Sequence, residues 1–139
     1  MIILDTNVVS ELMRTKPDSN VISWLGKQKT SGLYITAITV AEIGRGLGRL
    51  PKGKRKSSLE AAFNKFTKEA FGERILSFDL QAAQLYGTLA AQREKAGMHV
   101  DAVDLLIAAI ALNHQAQIAS RNTGDFSGCG ISLINPWLD

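Results

Sequence analysis

Three acidic residues stand in or beside apolar runs that do not favour a charge, and a fourth follows a strand in a polar loop. Asp5 follows the apolar run Met1 to Leu4. Glu42 lies within the apolar stretch Ile38 to Ile43, with Thr39 three residues earlier on the same helical face. Asp104 opens a run to Ile110, and its helical neighbours Ile107, Ala108 and Ala111 are small or apolar. Asp125 sits in the polar loop Arg121 to Gly130. Each has a local explanation. Asp5 can cap a helix, Glu42 can pair with Arg45, Asp104 can sit on a helix dipole, and Asp125 can serve a turn. Taken together they point elsewhere. An unpaired carboxylate costs several kcal/mol to bury, and carboxylates sharing a pocket repel one another unless a cation joins them. Oxygen-only ligation suits Mg²⁺ or Mn²⁺. Two histidines and one cysteine argue against a structural zinc site. A carboxylate-held Mg²⁺ beside a basic stripe is suited to hydrolysing phosphodiesters, because the metal activates water and stabilises charge on the phosphate.

The elements around these acids read as alternating strands and helices. Met1 to Leu4 is an apolar, β-branched run and predicts a buried strand. Thr6 and Asn7 are good helix starters before Val8 to Met13. Asp5 therefore falls where a strand hands over to a helix, the edge at which open α/β sheets bind ligands. Asp18 or Ser19 caps a helix over Val21 to Lys27. Leu33 to Thr36 is a strand. Ala37 to Leu50 is a helix with Ile38, Ala41 and Leu47 inward, and Gly44, Gly46 and Gly48 weaken its end. Pro51 to Lys56 reads as a basic turn, Leu59 to Phe71 as an amphipathic helix and Arg74 to Phe78 as a strand. Asp79 caps a helix to about Ala96, ended by Gly97. Ala102 to His114 is apolar nearly all round, hence a buried helix. Gln117 to Ser120 and Ile131 to Ile134 are the last strands. This alternation calls for one α/β domain, residues 1–139, with a parallel sheet covered by helices on both faces.

Composition narrows the class. The chain is 45% hydrophobic and 21% charged, which describes a globular protein. No apolar run approaches the roughly 18 residues of a membrane span. No basic segment precedes a leader-like apolar one, and the single Cys129 cannot form an internal disulfide. A cytoplasmic protein is expected, without membrane contact. The net charge of +3 is unevenly spread: Arg45 to Lys68 carries eight basic residues and one acid. This segment is either a solvated surface or a patch facing a polyanion. Its aromatics are few (Phe63, Phe66), so phosphate contact is indicated there and base stacking is not.

Four motifs resemble the PIN-domain family, most closely the VapC/FitB-type toxins of type II bacterial toxin–antitoxin pairs. They are Asp5-Thr6-Asn7 after the first strand, Ile38-Thr39-Val40-Ala41-Glu42, Asp104 to Ala109, and Ser120 to Phe126. The ending Asn135-Pro136-Trp137 adds to the FitB-like character. The resemblance implies a PIN-like three-layer sandwich and a Mg²⁺- or Mn²⁺-dependent ribonuclease. Asp5, Glu42 and Asp104 match the metal-holding acids. Either Asn122 or Asp125 completes the set, and Asp125 is the catalytic candidate among the two. Thr6, Thr39, Ser120 and Asn122 become supporting residues, and Asp101 an exposed charge at a helix start. The resemblance also implies a homodimer and a cognate antitoxin whose C-terminal segment lies across the acidic cleft. DNA would be reached only through that antitoxin. Arg45, Arg49, Lys52, Lys54, Arg55 and Lys56 would then guide RNA or receive part of the antitoxin. The competing readings are a metal-dependent DNA nuclease or phosphatase, and a largely non-cleaving subunit that holds its antitoxin on DNA.

Overall fold

The computed structural model describes residues 1–139. Its sheet has five strands: β1 (Ile2–Leu4), β2 (Leu33–Thr36), β3 (Ile75–Leu76), β4 (Gln117–Ala119) and β5 (Leu133–Ile134). They are ordered β3-β2-β1-β4-β5, and every neighbouring pair is parallel. Six α-helices alternate with them: α1 (Thr6–Leu12), α2 (Ser19–Gly26), α3 (Ala37–Gly48), α4 (Lys54–Lys65), α5 (Leu80–Lys95) and α6 (Ala102–Asn113). The expected parallel sheet with helices on both faces is what forms.

Side-chain alternation along the central strands splits the core in two. Ile3 and Ile118 point to the face covered by α5 and α6, where Leu105, Ile107 and Ile110 are buried. Leu4 and Ala119 point to the opposite face, against Val8 and Val9 of α1 and Ile43 and Leu47 of α3. β1 is the middle strand of five, buried on both faces, which is why its sequence is continuously apolar. No helix is long and apolar enough to cross a membrane.

Several local expectations shift. Ala41 is exposed, and α3 instead buries Thr39, Ile43 and Leu47. Thr39 takes an inward position because its hydroxyl finds a polar partner there. Lys54, Arg55 and Lys56 are not a turn but the first residues of α4. The amphipathic stretch Leu59 to Phe71 divides into the end of α4 and a π-helical turn over Phe66–Phe71. That turn brings Phe66 and Phe71 to 4.8 Å between ring centroids and leaves Ala62 and Ala70 exposed. Gly72, at φ +47, ends it. Of Arg74 to Phe78, only Ile75 and Leu76 pair with β2. Asp18 is the cap of α2, accepting from the N–H groups of Asn20 and Val21.

Candidate active site

The chain leaves β1 towards β2 on one side, and β4 lies on the other. This is a topological switch point, where the loops beyond the strand ends part and leave a crevice. A cleft of about 600 Å³ opens there. Asp5, Glu42, Asp104 and Asp125 all line it, together with Thr6 and Asn122. They arrive from the end of β1, from α3, from the first turn of α6 and from the 3-10 turn after β4.

Asp5 is only 5% exposed. It both caps α1 and reaches the cleft. One carboxylate oxygen accepts the Thr6 N–H at 2.8 Å, and the other accepts the Ser120 hydroxyl at 2.7 Å. Capping thus accounts for half of this carboxylate and leaves its placement in the cleft unexplained. With Asp5 as cap, the Thr6 side chain is released from that task. Its hydroxyl donates to Glu42 Oε1 at 2.5 Å and lies 3.0 Å from the Thr39 hydroxyl. Glu42 is therefore held by the Thr6 hydroxyl, not by Arg45. Ser120 is fully buried behind the cleft, where it accepts from the Asn7 side-chain amide and from the Asn122 N–H. Asp104 is half-buried rather than enclosed. Asp101 caps α6 by accepting the Asp104 N–H at 3.1 Å and is itself exposed.

These acids feel one another. Burial raises the Asp5 pKa, hydrogen bonds from Ser120 and Thr6 oppose the rise, and the charges of Glu42 and Asp125 add to it. Asp104 is pushed up to about 7, first by burial and then by the charges of Asp101, Asp5, Asp125 and Glu42. The molecule's one ion pair, Arg14 to Glu11 at 3.1 Å, joins two other residues of the same cleft. Arg14 and Arg121 border the cleft, yet neither pairs with any of the four acids. The side chains do not close into a three-ligand cage. An oxygen-only set that lacks a counter-charge fits a hydrated Mg²⁺-type ion, which keeps several waters and binds through one or two carboxylates.

The basic segment joins this site only in part. A second, larger groove of about 890 Å³ adjoins the cleft, sharing Thr6, Ser10, Arg14 and Glu42. Its walls are Ile43, Leu47 and Leu59, and its cations are Arg14, Lys16 and Arg55. With one of the four acids, it is not the chemical centre. Arg45, Arg49, Lys52, Lys54 and Lys56 line neither concavity. Six cleft residues escaped sequence reasoning, Ser10 and Arg14 among them. Asn7 passed as a possible cap, whereas its side chain bridges Ser120 and the Arg121 N–H. Glu11 is 5% exposed in an amphipathic helix, a buried charge that the pattern itself contained. Arg121 and Trp137 have no sequence pattern linking them.

An α/β protein with an acidic cleft at its switch point is the class that fold and site define. The chain matches the PIN domain model over residues 2–128, and it belongs to the PIN-domain family. It is 42% identical over 137 residues to the plasmid stability protein StbB of Pseudomonas syringae pv. tomato, covering 99% of both chains. It is 41% identical over 137 residues to the VapC ribonuclease Y4jK of Sinorhizobium fredii, covering 99% of this chain and 98% of that one. Toxin FitB of Neisseria gonorrhoeae is 37% identical over the full length of both. The solved structure of FitAcB from that organism superposes with a TM-score of 0.92 over 99% of each chain, at 37% identity. The likeness to VapC and FitB toxins thus extends over the whole chain.

Proposed function

We propose that this protein is a metal-dependent endoribonuclease toxin, cytoplasmic and held inactive by a cognate antitoxin. The observation that carries the reading is the cleft itself: four carboxylates on four elements, their combined charge raising the pKa of Asp5 and Asp104, with no cation paired to any of the four. Asp5, Glu42 and Asp104 would hold Mg²⁺ or Mn²⁺, and Asp125 or Asn122 would complete the set. A bound ion would supply an activated water and offset charge on the scissile phosphate. Ser120 and Thr6 orient Asp5 and Glu42 by fixing one oxygen of each. The VapC ribonuclease name of one relative supports RNA as substrate, and the toxin name of another supports an antitoxin partner. The apolar-walled groove beside the cleft suits a segment of that antitoxin. A homodimer is the proposed assembly, with DNA reached through the antitoxin.

The test is cleavage of a total bacterial RNA pool by the purified, antitoxin-free chain. Mg²⁺ or Mn²⁺ is compared with EDTA, and the parent with Asp5→Asn. Discrete fragments that need the metal and vanish in the variant are expected. A folded chain that binds an antitoxin yet cleaves no RNA would sink the reading in favour of a non-cleaving regulatory subunit.

A further inference from the structure

Arg121 and Trp137 line the acidic cleft, 16 positions apart in the chain and joined by no pattern. The guanidinium carbon of Arg121 lies 5.2 Å from the indole centroid. A cation at the rim of a cleft lined by six acids would be expected to pair with one of them, and this one does not. It is spread over the indole instead, and its residue is exposed.

The arrangement is built from both sides. The Asn135 side-chain amide ties the two backbones together: its oxygen accepts the Trp137 backbone N–H at 3.0 Å and its nitrogen donates to the Arg121 backbone carbonyl at 3.3 Å. The Asn20 amide holds the Trp137 carbonyl at 3.0 Å. The Arg121 N–H donates to Asn7 Oδ1 at 3.2 Å. Asn7 in turn donates to Ser120, and Ser120 to Asp5. One continuous set of hydrogen bonds therefore fixes the backbones of Arg121 and Trp137 relative to the buried carboxylate, and the guanidinium is placed by its approach to the indole. The indole is half-buried against the edge of the α1–α3 core, so it backs the guanidinium and restricts its rotamers.

A flat guanidinium backed by an indole recognises a flat, electron-rich ring carried on a polyanion. Guanidinium planes and aromatic rings take unpaired bases in this way, and bases already stacked inside a duplex are not available to them. A carboxylate would instead approach the guanidinium edge. Resting on the ribonuclease reading, we propose that Arg121, backed by Trp137, is the docking platform for an unpaired nucleobase beside the phosphodiester held at the carboxylates. Arg121 positions the strand and makes the site selective for single-stranded RNA. It takes no part in the chemical step.

The platform is tested by tryptophan fluorescence on the full chain carrying Glu42→Gln, which blocks turnover, in the presence of Mg²⁺. The chain has two tryptophans, and Trp24 is buried. Added Trp137→Phe therefore reports the background from Trp24. The probes are a short unstructured oligoribonucleotide, an abasic strand of the same length and a blunt duplex. The single strand should quench Trp137, and the other two should not. Arg121→Lys keeps the charge and loses the plane; it should weaken single-strand binding about five- to 150-fold, the range of base stacking. Thermal melts of each variant verify the fold. Equal binding of the abasic strand, or unchanged binding by Arg121→Lys, would overturn the platform. Cleavage by the parent chain is measured alongside. Metal-dependent cleavage without base-dependent quenching rejects the platform alone. Base-dependent quenching without cleavage supports the platform and rejects the nuclease.

Discussion

Asp104 carries the clearest consequence of a single residue. Its carboxyl is raised from 3.8 to about 7 by burial and by four neighbouring acids. The folded state therefore holds this proton more tightly than the unfolded chain does. The stability that results is present in full below about pH 4 and is lost as pH rises towards 7. Asp104→Asn removes the titration. In metal-free protein, the melting temperature of wild type relative to Asp104→Asn should fall between pH 4 and 7 and then level off. Cleavage by the variant should be abolished. A difference that stays flat across this range would mean that neither burial nor the neighbouring acids raise this carboxyl. Asp5 belongs to the same field but is tied by two hydrogen bonds, so its two oxygens have fixed directions in the metal-free fold.

Helix α4 shows what an element can reveal. Lys54, Arg55 and Lys56 occupy its first turn, which contains no acid, and Gly53 before them provides no side-chain cap. The positive end of a helix dipole disfavours cations by about 0.3–1 kcal/mol each. Stability does not account for three of them there. Lys54→Glu with Lys56→Glu should leave the melting temperature unchanged or raise it. The same pair should weaken RNA binding and reduce its salt slope by about one for each phosphate no longer neutralised. Circular-dichroism melts and binding titrations at several salt concentrations check both halves. Unchanged affinity and slope would return this turn to a solvated surface. Arg55 alone of this segment lines the groove next to the cleft, so Arg55→Glu should have the largest effect on binding.

At the scale of the molecule, the proposed metal site would couple the stability of the fold to divalent ions. Carboxylates must be deprotonated to bind a metal, so binding competes with protons. Mn²⁺ or Mg²⁺ should raise the melting temperature at pH 7.5 and do so much less at pH 5. At a concentration of 100 times the dissociation constant, the gain is about 2.7 kcal/mol. Differential scanning calorimetry across pH and metal concentration measures this directly. Equal stabilisation at both pH values would show the ion bound outside the carboxylate cleft. The same measurement on Asp5→Asn should show little stabilisation at either pH.

Much of this protein is legible without its structure, because the legible parts depend on short-range pattern. Alternating apolar strands and amphipathic helices require a parallel sheet with helices on both faces. The turns from strand to helix put Asp5 and Ser120 at the carboxyl ends of their strands, and Leu33 to Thr36 reads as the strand it is. Asp5, Glu42 and Asp104 stand out because their apolar surroundings are local. Pattern is weaker where two local preferences compete, as at α4, where a basic run with Gly53 looks like a turn yet begins a helix. It misleads at Ala41, because Thr39 goes inward to a hydroxyl partner 33 positions away. Which residues meet is decided only by strand order. Ser120 reaches Asp5 across 115 positions because β4 pairs with β1, and Thr6 reaches Glu42 across 36 because β2 lies on the other side. The pairing of Arg121 with Trp137, and of neither with an acid, follows from the same closure. Periodicity specifies which face a residue takes, whereas a hydrogen bond needs both partners within about 3 Å, a condition set by the tertiary arrangement of the sheet.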